Sequence, residues 1–299
     1  MTVSILNPYT RLPGTPVPTH SWPAGDGIRL AGDAWGDSRG PLVVLLHGVG
    51  QTRHAWRTTA RMLGAAGYHA VTFDARGHGD SDWAMDGDYS RDAMVRDLQS
   101  LVATLGKRPA LIGASMGGAT GLVGVGEGRV DASALILVDI APRTEPSGVA
   151  KVRSFMNGTA EGFGSLGEAA AAIHAYRPRA RSAGVPHGLS KNLRLGPDGR
   201  YYWHWDPRLM EREREPDDRR VEAARRLDVP TLLVRGGQSD VVSEDGARDF
   251  LALCPRAEFV NITGAGHMVS GDRNDVFGRA ALGFLRRVVP VCDDGSASE

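Results

Sequence analysis

Short apolar runs that end in glycine or a turn recur along the chain and alternate with segments of helical period. Such runs are typical of strands buried on both faces, as in a parallel sheet whose strands are joined by crossover helices. The helical period is clearest at 94–105 and 276–288, where apolar residues recur every three or four positions. The alternation predicts an α/β fold with an open sheet. The predicted strands are 41–48, 69–77, 110–115, 134–142, 230–237 and 257–264.

The alternation stops between residues 142 and 226, where helical pieces and loops occur without a buried strand. We therefore predict an inserted helical cap at 142–226, with Ser165 and Glu168 forming a capping box at the start of one of its helices. The segment 141–226 carries 16 Lys and Arg against 11 Asp and Glu, a balance that suits either solvated helices or an anionic substrate. The remaining predicted units are an arm at 1–20, a core at 21–141 and 227–290, and a tail at 291–299.

Charge and length exclude several classes of protein. The 299 residues carry 35 Lys and Arg and 35 Asp and Glu, so no strong overall field favours nucleic acid or an anionic membrane as a partner. We find no apolar run of membrane-spanning length, and the N-terminus lacks the pattern of a secretory signal. The two cysteines, Cys254 and Cys292, are not in a metal-binding spacing. We expect a cytoplasmic protein, and a monomer and a homodimer are equally compatible with the sequence.

The pattern G-x-S-x-G occurs at 36–40 and again at 113–117. A serine nucleophile in this pattern needs a buried strand before it and a helix after it, because the sharp turn between them exposes the hydroxyl above the sheet. Only Ser115 has this context, since Ser38 precedes its strand among polar turn residues. Ser115 is therefore the predicted nucleophile.

A serine hydroxyl needs a base to take its proton and a carboxylate to orient that base. His267 follows the last predicted strand, whereas His47 lies in a turn better suited to presenting amides. Asp240 follows the strand at 230–237, and we prefer it as the carboxylate because a glycine-rich loop gives it reach. Asp139, at the end of another strand, is the alternative, and Asp272 fits a helix N-cap better.

Acyl transfer also needs amide donors for the oxyanion of the tetrahedral intermediate. We expect one from Met116, next to the serine, and one from Val49, where Gly48 and Gly50 let the backbone approach closely. Gly48 is also expected to contact the substrate. Trp203 and Trp205, in the aromatic run 201–205, are predicted either to line the substrate pocket or to anchor the cap.

With these residues placed, the chain from about residue 28 to 288 resembles the α/β-hydrolase superfamily. The resemblance implies an eight-stranded, mostly parallel sheet with a helical cap after the sixth strand, and it supports Ser115, Asp240 and His267 as a catalytic triad. The resemblance is closest to bacterial esterases, epoxide hydrolases, C–C bond hydrolases and non-haem haloperoxidases. The segments that carry it are LLHGVG, FDARGHGDS, GASMGG, GGQSD and GAGHMV.

Residues that differ from those typical of these enzyme groups narrow the set of candidate activities. Epoxide hydrolases and haloalkane dehalogenases have an aspartate at the position of Ser115, which argues against those activities. The C–C hydrolases typically have Pro-Gly after the oxyanion turn and a tryptophan beside the histidine, and this chain has Gln51-Thr52 and Met268 there.

The leading hypothesis is a serine hydrolase that cleaves a carboxylic ester, lactones included, of a small and largely apolar substrate through an acyl-enzyme. Such chemistry needs no metal or organic cofactor. One alternative is hydrolysis of a C–C bond in a vinylogous diketone acid, with Arg53 or Arg177 holding the carboxylate. Another is a ligand-binding protein on a hydrolase fold without turnover.

Overall fold

A computed structural model describes residues 7–159, 161–176, 188–211, 215–267 and 274–291. The strands are β1 (Thr10–Arg11), β2 (His20–Pro23), β3 (Arg29–Trp35), β4 (Leu42–Leu46), β5 (His69–Phe73), β6 (Ala110–Ala114), β7 (Ala134–Val138), β8 (Leu193–Leu195), β9 (Tyr201–Trp203), β10 (Thr231–Gly236) and β11 (Glu258–Ile262). The α-helices are α1 (Arg57–Ala65), α2 (Arg91–Leu105), α3 (Met116–Gly126), α4 (Pro146–Asn157), α5 (Leu166–Tyr176), α6 (Asp217–Arg225), α7 (Glu244–Leu253) and α8 (Asn274–Val288).

Eight of the described strands form one sheet in the order β11-β10-β7-β6-β4-β5-β3-β2. The pairs from β11 to β5 are parallel, and β3 and β2 join in antiparallel register at one edge. All six strands predicted from the sequence are present, which confirms the α/β class and the mostly parallel sheet. Because parallel strands share a direction, the carboxyl ends of β4, β6, β7 and β10 meet at one edge of the sheet.

Apolar side chains cover both faces of the sheet, as expected for parallel strands. Along β4, Val43 and Leu45 pack in the cluster that contains Trp56 and Phe277 of the α1 and α8 side. Residues 42, 44 and 46 of the same strand pack in the cluster on the opposite face, with α2, α3 and α7. This two-residue period holds the central strands rigidly, so the residues at their carboxyl ends have fixed positions.

The insertion between β7 and β10, which we call the cap, contains α4, α5 and α6. It also contains two short, partly exposed strands that the sequence analysis did not predict. β8 and β9 pair in antiparallel register, and β1 of the N-terminal arm pairs with β8. Tyr9 of the arm stacks on Tyr202 with ring centroids 4.5 Å apart. The missed strands are only two or three residues long, too short for a periodic pattern. The N-terminal arm therefore packs against the cap through strand pairing and ring stacking.

The helix cap predicted at Ser165 is confirmed at the start of α5. Ser165 Oγ accepts a hydrogen bond of 3.1 Å from the Glu168 amide, as a capping residue should. Cys254 is buried. Asp272, Arg177, Met268 and Cys292 lie outside the described residues. In the parts of the chain listed above, no helix combines the length and the apolar character needed to cross a bilayer.

Candidate active site

Ser115 lies in the sharp turn between β6 and α3, with φ 46° and ψ −111°. A positive φ is strained for a residue with a Cβ, and such strain is concentrated at functional sites. The glycines of the motif make the turn possible. A Cβ on Gly113 would lie 2.5 Å from the Gly118 Cα, and one on Gly117 would lie 2.5 Å from the Leu46 carbonyl oxygen. The G-x-S-x-G spacing is thus a steric requirement of the elbow.

His267 lies beyond the end of β11 and is held by a carboxylate. Its Nδ1 lies 2.7 Å from Oδ2 of Asp139, which is the residue directly after β7. Asp139 is fully buried and, like Ser115, has a positive φ, of 49°. A carboxylate on Nδ1 fixes the imidazole so that Nε2 is available to accept a proton.

The structure corrects the prediction that Asp240 orients His267. Asp240 has a half-exposed side chain whose Oδ2 bonds to Lys151 Nζ at 2.8 Å. The last residue of β10 and the loop after it instead supply donors to Asp139: Gly236 N donates to its Oδ1 at 2.8 Å, and Ser239 Oγ donates to its Oδ2 at 2.5 Å. The physical reason is sheet order: β7 lies next to β6, whereas β10 lies one strand further from the elbow.

The two expected oxyanion donors lie at the ends of neighbouring strands. Met116 is the first residue of α3, and the first amide of a helix has no intrahelical acceptor. In the loop after β4, Gly48 N donates to Gln51 and Gly50 N donates to His78. Between them, the Val49 amide donates to no acceptor among the described residues. Both amides are therefore available to a ligand.

Two buried histidines contact Gly50 in the loop at residues 47–51, which we call the oxyanion loop after its predicted role. His78 Nε2 accepts from Gly50 N at 3.2 Å, and its Nδ1 lies 3.0 Å from the Arg76 carbonyl, to which it donates. His204, from the cap, accepts from Gly79 N at Nδ1 (2.8 Å), which leaves Nε2 to donate to the Gly50 carbonyl at 3.3 Å. The cap is thereby fastened directly to the oxyanion loop. Neither histidine was predicted to have a role, because their contacts with Gly50 join residues that are 28 and 154 positions apart.

His47 completes the support of the loop. Its Nε2 accepts from Ala75 N at 2.9 Å, so Nδ1 donates to the Gly48 carbonyl at 2.8 Å. Burial lowers the pKa of His47, and burial together with neighbouring His78 lowers the pKa of His204 well below the ordinary value. Each of the two accepts a backbone N–H at one ring nitrogen, an arrangement that requires the neutral ring.

A family model described as the alpha/beta hydrolase family matches residues 43–280. The chain belongs to the alpha/beta hydrolase family. It is 28% identical over 256 residues to the mouse sn-1-specific diacylglycerol lipase ABHD11, covering 84% of this chain and 82% of that protein. It is 29% identical over 275 residues to the esterase Rv0045c of Mycobacterium tuberculosis, covering 85% of this chain and 84% of that protein. An alpha/beta hydrolase structure from Novosphingobium aromaticivorans superposes with a TM-score of 0.76 at 26% identity, covering 90% of this chain and 98% of that one.

The hydrolase has a cavity with two lobes, and Ser115, Val49 and His267 line both of them. The smaller lobe has a volume of about 150 Å³ and includes Arg91 and Glu215. The larger lobe has a volume of about 440 Å³. Ser115 thus lies where the two parts of an ester would meet. Apolar and aromatic side chains dominate the larger lobe: Val152, Phe155, Met156, Ile173, Tyr176, Trp203 and Trp205.

Trp203 and Trp205 of the hydrolase occupy the position expected of pocket residues, and they also make contacts within the cap. Their rings stack with centroids 5.0 Å apart, and both line the larger lobe. Trp203 Nε1 donates to Thr159 Oγ1 at 2.7 Å within the cap. Gly48 lines the same lobe. The structure therefore places both tryptophans in the pocket, and the contacts named above join parts of the cap to one another.

Arg53 is not placed to hold a substrate carboxylate. Its guanidinium is buried and pairs with three carboxylates of the core, those of Asp33, Asp74 and Asp80. Of the two arginines considered for the C–C alternative, Arg53 is thus paired with carboxylates of the core, and Arg177 lies outside the described residues. Among the residues that the structure describes, no group of three or more His, Cys, Asp or Glu is arranged to hold a metal ion.

Proposed function

We propose that this hydrolase cleaves carboxylic esters of small, largely apolar compounds, lactones included, with Ser115 as nucleophile, His267 as base and Asp139 as the orienting carboxylate. The observation that carries the proposal is the contact between His267 Nδ1 and the buried Asp139 carboxylate, in a cavity that also contains the strained Ser115. Acyl transfer requires a nucleophile, a base and a group that orients the base, and these three residues would supply one of each.

In the proposed reaction, Ser115 Oγ attacks the ester carbonyl while its proton passes to His267 Nε2. The oxyanion accepts hydrogen bonds from the Met116 and Val49 amides, and each such donor contributes about 3 kcal/mol to stabilisation of the transition state. The intermediate then collapses, and His267 gives the proton to the departing alcohol. Water attacks the acyl-enzyme with His267 again as base, which releases the acid and restores the serine.

The aromatic larger lobe supports an apolar substrate, since burying an apolar group there removes it from water. The names of the relatives point the same way, because the matched mouse protein is called a lipase and the matched mycobacterial protein an esterase. A cytoplasmic location and a monomeric or homodimeric state remain predictions from the sequence.

The test is steady-state hydrolysis of p-nitrophenyl esters of graded acyl length by the wild type and by Ser115→Ala. We expect the wild type to turn over short and medium esters, and Ser115→Ala to lose at least about 10³-fold in kcat, because the attacking oxygen is gone. Ser38→Ala, at the other G-x-S-x-G match, is the matched control and keeps wild-type rates. A folded wild type that cleaves no ester, or a Ser115→Ala variant with unchanged turnover, contradicts the proposal.

A further inference from the structure

The chain uses lysine very sparingly, with Lys107, Lys151 and Lys191 among its 35 Lys and Arg. Two of the three have evident structural partners. The Lys151 ammonium bonds to the Asp240 carboxylate at 2.8 Å. The Lys107 ammonium donates to three consecutive backbone carbonyls, those of Ser38, Arg39 and Gly40.

Lys191 differs from both, because it is half-buried and lines the larger lobe of the active-site cavity. Among the described residues, no carboxylate lies within ion-pair distance of its ammonium. It lies in the short helical turn Leu189–Asn192, directly before β8. Its charge is therefore directed at the cavity region without a protein anion to offset it.

The other described residues that line the larger lobe do not neutralise the charge of Lys191. Of the described residues that line it, Lys191 is the only lysine or arginine, and none is an aspartate or glutamate. His54 lines the same lobe, and burial together with the Arg53 charge lowers its pKa to about 4, so it is neutral at pH 7. Among the described residues that line the lobe, Lys191 thus carries the one full charge at pH 7 that is not part of the proposed catalytic machinery.

An ammonium in a partly desolvated, mainly apolar cavity interacts more strongly with an anion than it would in water. Lysine meets a carboxylate as a compact point charge with three donors and needs no fixed approach direction. We propose that Lys191 binds a carboxylate of the substrate, so that the natural substrate is an ester with an apolar body and an anionic end. The inference rests on the proposed ester hydrolysis at Ser115 and names the class of ester.

Two matched substrate series test the inference, one for each orientation of the ester. In the first, p-nitrophenyl monoesters of dicarboxylic acids from succinic to suberic are compared with p-nitrophenyl alkanoates of equal chain length. In the second, ω-carboxyalkyl acetates are compared with alkyl acetates. The measured quantity is the ratio of kcat/KM for the anionic ester to that for its neutral match, in the wild type, Lys191→Gln, Lys191→Arg and Lys151→Gln. Lys151→Gln removes a second cap lysine whose charge is already paired with Asp240.

We expect a ratio above one in one series, with a maximum at the chain length that reaches Lys191. Lys191→Gln should lower that ratio roughly tenfold, mainly through KM, because one charge-assisted hydrogen bond is lost. Lys191→Arg should retain most of the ratio, Lys151→Gln should retain all of it, and added salt should reduce it in the wild type.

Equal wild-type rates on anionic and neutral esters in both series overturn the inference while leaving ester hydrolysis intact. An equal loss of the ratio in Lys191→Gln and Lys151→Gln overturns it as well. Calorimetric binding of the same esters to Ser115→Ala supplies a readout that needs no turnover. If the wild type cleaves no ester but Ser115→Ala binds the anionic series more tightly in a Lys191-dependent way, the proposed function fails and the carboxylate site stands.

Discussion

Replacing Asp139 by asparagine separates the two aspartates that compete for the role of orienting carboxylate. In the structure, Oδ1 of Asp139 accepts from Gly236 N, and Oδ2 accepts from Ser239 Oγ and His267 Nδ1. An asparagine has one acceptor oxygen and one donor amino group. With the oxygen kept on Gly236 N, the amino group faces His267 Nδ1, which can accept only if the imidazole proton moves to Nε2.

A proton on Nε2 leaves the base unable to take the Ser115 proton, so this variant should hold its base in the wrong tautomer. We expect kcat to fall by about 10⁴-fold, equivalent to about 5.5 kcal/mol of barrier. Asp240→Asn removes only a half-exposed pair with Lys151, an interaction worth about 0.2–1 kcal/mol, and should change kcat/KM by no more than about threefold.

The assay is p-nitrophenyl acetate or butyrate hydrolysis by both variants at pH 7.5, with thermal unfolding and circular dichroism to verify that each is folded. The pair is well matched, because both changes remove one carboxylate charge near the same loop. Near-wild-type turnover in Asp139→Asn, together with a loss of more than about 100-fold in Asp240→Asn, would refute the reasoning from hydrogen-bond geometry.

Two further predictions concern the histidines around the oxyanion loop. His204→Ala leaves the Gly79 amide and the Gly50 carbonyl without their hydrogen-bond partner. We therefore expect kcat to fall about tenfold with a smaller change in KM, and we expect His204→Gln to recover part of the loss. A change confined to thermal stability would contradict a role of His204 in positioning the loop. The second concerns acid stability. Burial lowers the pKa values of His47 and His204 in the native state, and the pKa of His54 is lowered to about 4. Below pH 6.5, which is about the pKa of histidine in an unfolded chain, the unfolded chain therefore binds protons that the native state does not. The stabilisation is fully present above pH 6.5 and is lost as the pH falls toward the folded pKa values, by about 1.4 kcal/mol per pH unit for each such histidine. Urea unfolding at intervals from pH 7 to 5 measures this slope, which should be smaller in His204→Gln; a flat profile would show that these rings titrate normally in the native state.

The comparison of sequence and structure is most informative at the nucleophile. The elbow at Ser115 could be predicted because its requirements are local: an apolar strand, glycines at fixed spacing and a following helix. His267 could be predicted for a similar reason, since a loop directly after a strand places it at the active edge of the sheet. The apolar runs likewise indicated the six central strands, because burial on both faces leaves a strong compositional signal.

The acid could not be selected in the same way. Asp139 and Asp240 both follow buried strands, and the choice depends on strand order and on the course of the loop after β10. That loop has the glycines expected of a carboxylate carrier, but it uses Gly236 and Ser239 to hold the carboxylate of its neighbour. The pairing of β1 with the cap could not be predicted, because a strand of two residues is too short to show an alternation of apolar and polar side chains.

Local patterns were enough to predict the serine elbow at Ser115 and the histidine loop at His267. The succession of apolar runs along the chain was enough to predict the α/β class and the insertion between β7 and β10. Three features depend on the packing of the whole fold: the carboxylate that contacts His267, the contacts of His78 and His204 with Gly50, and the position of Lys191 in a lobe whose described lining has no acidic side chain. The physical reason is distance along the chain. His267 and Asp139 are 128 positions apart, and His204 and Gly50 are 154 apart, so only packing of the whole sheet and cap brings these atoms within hydrogen-bond range.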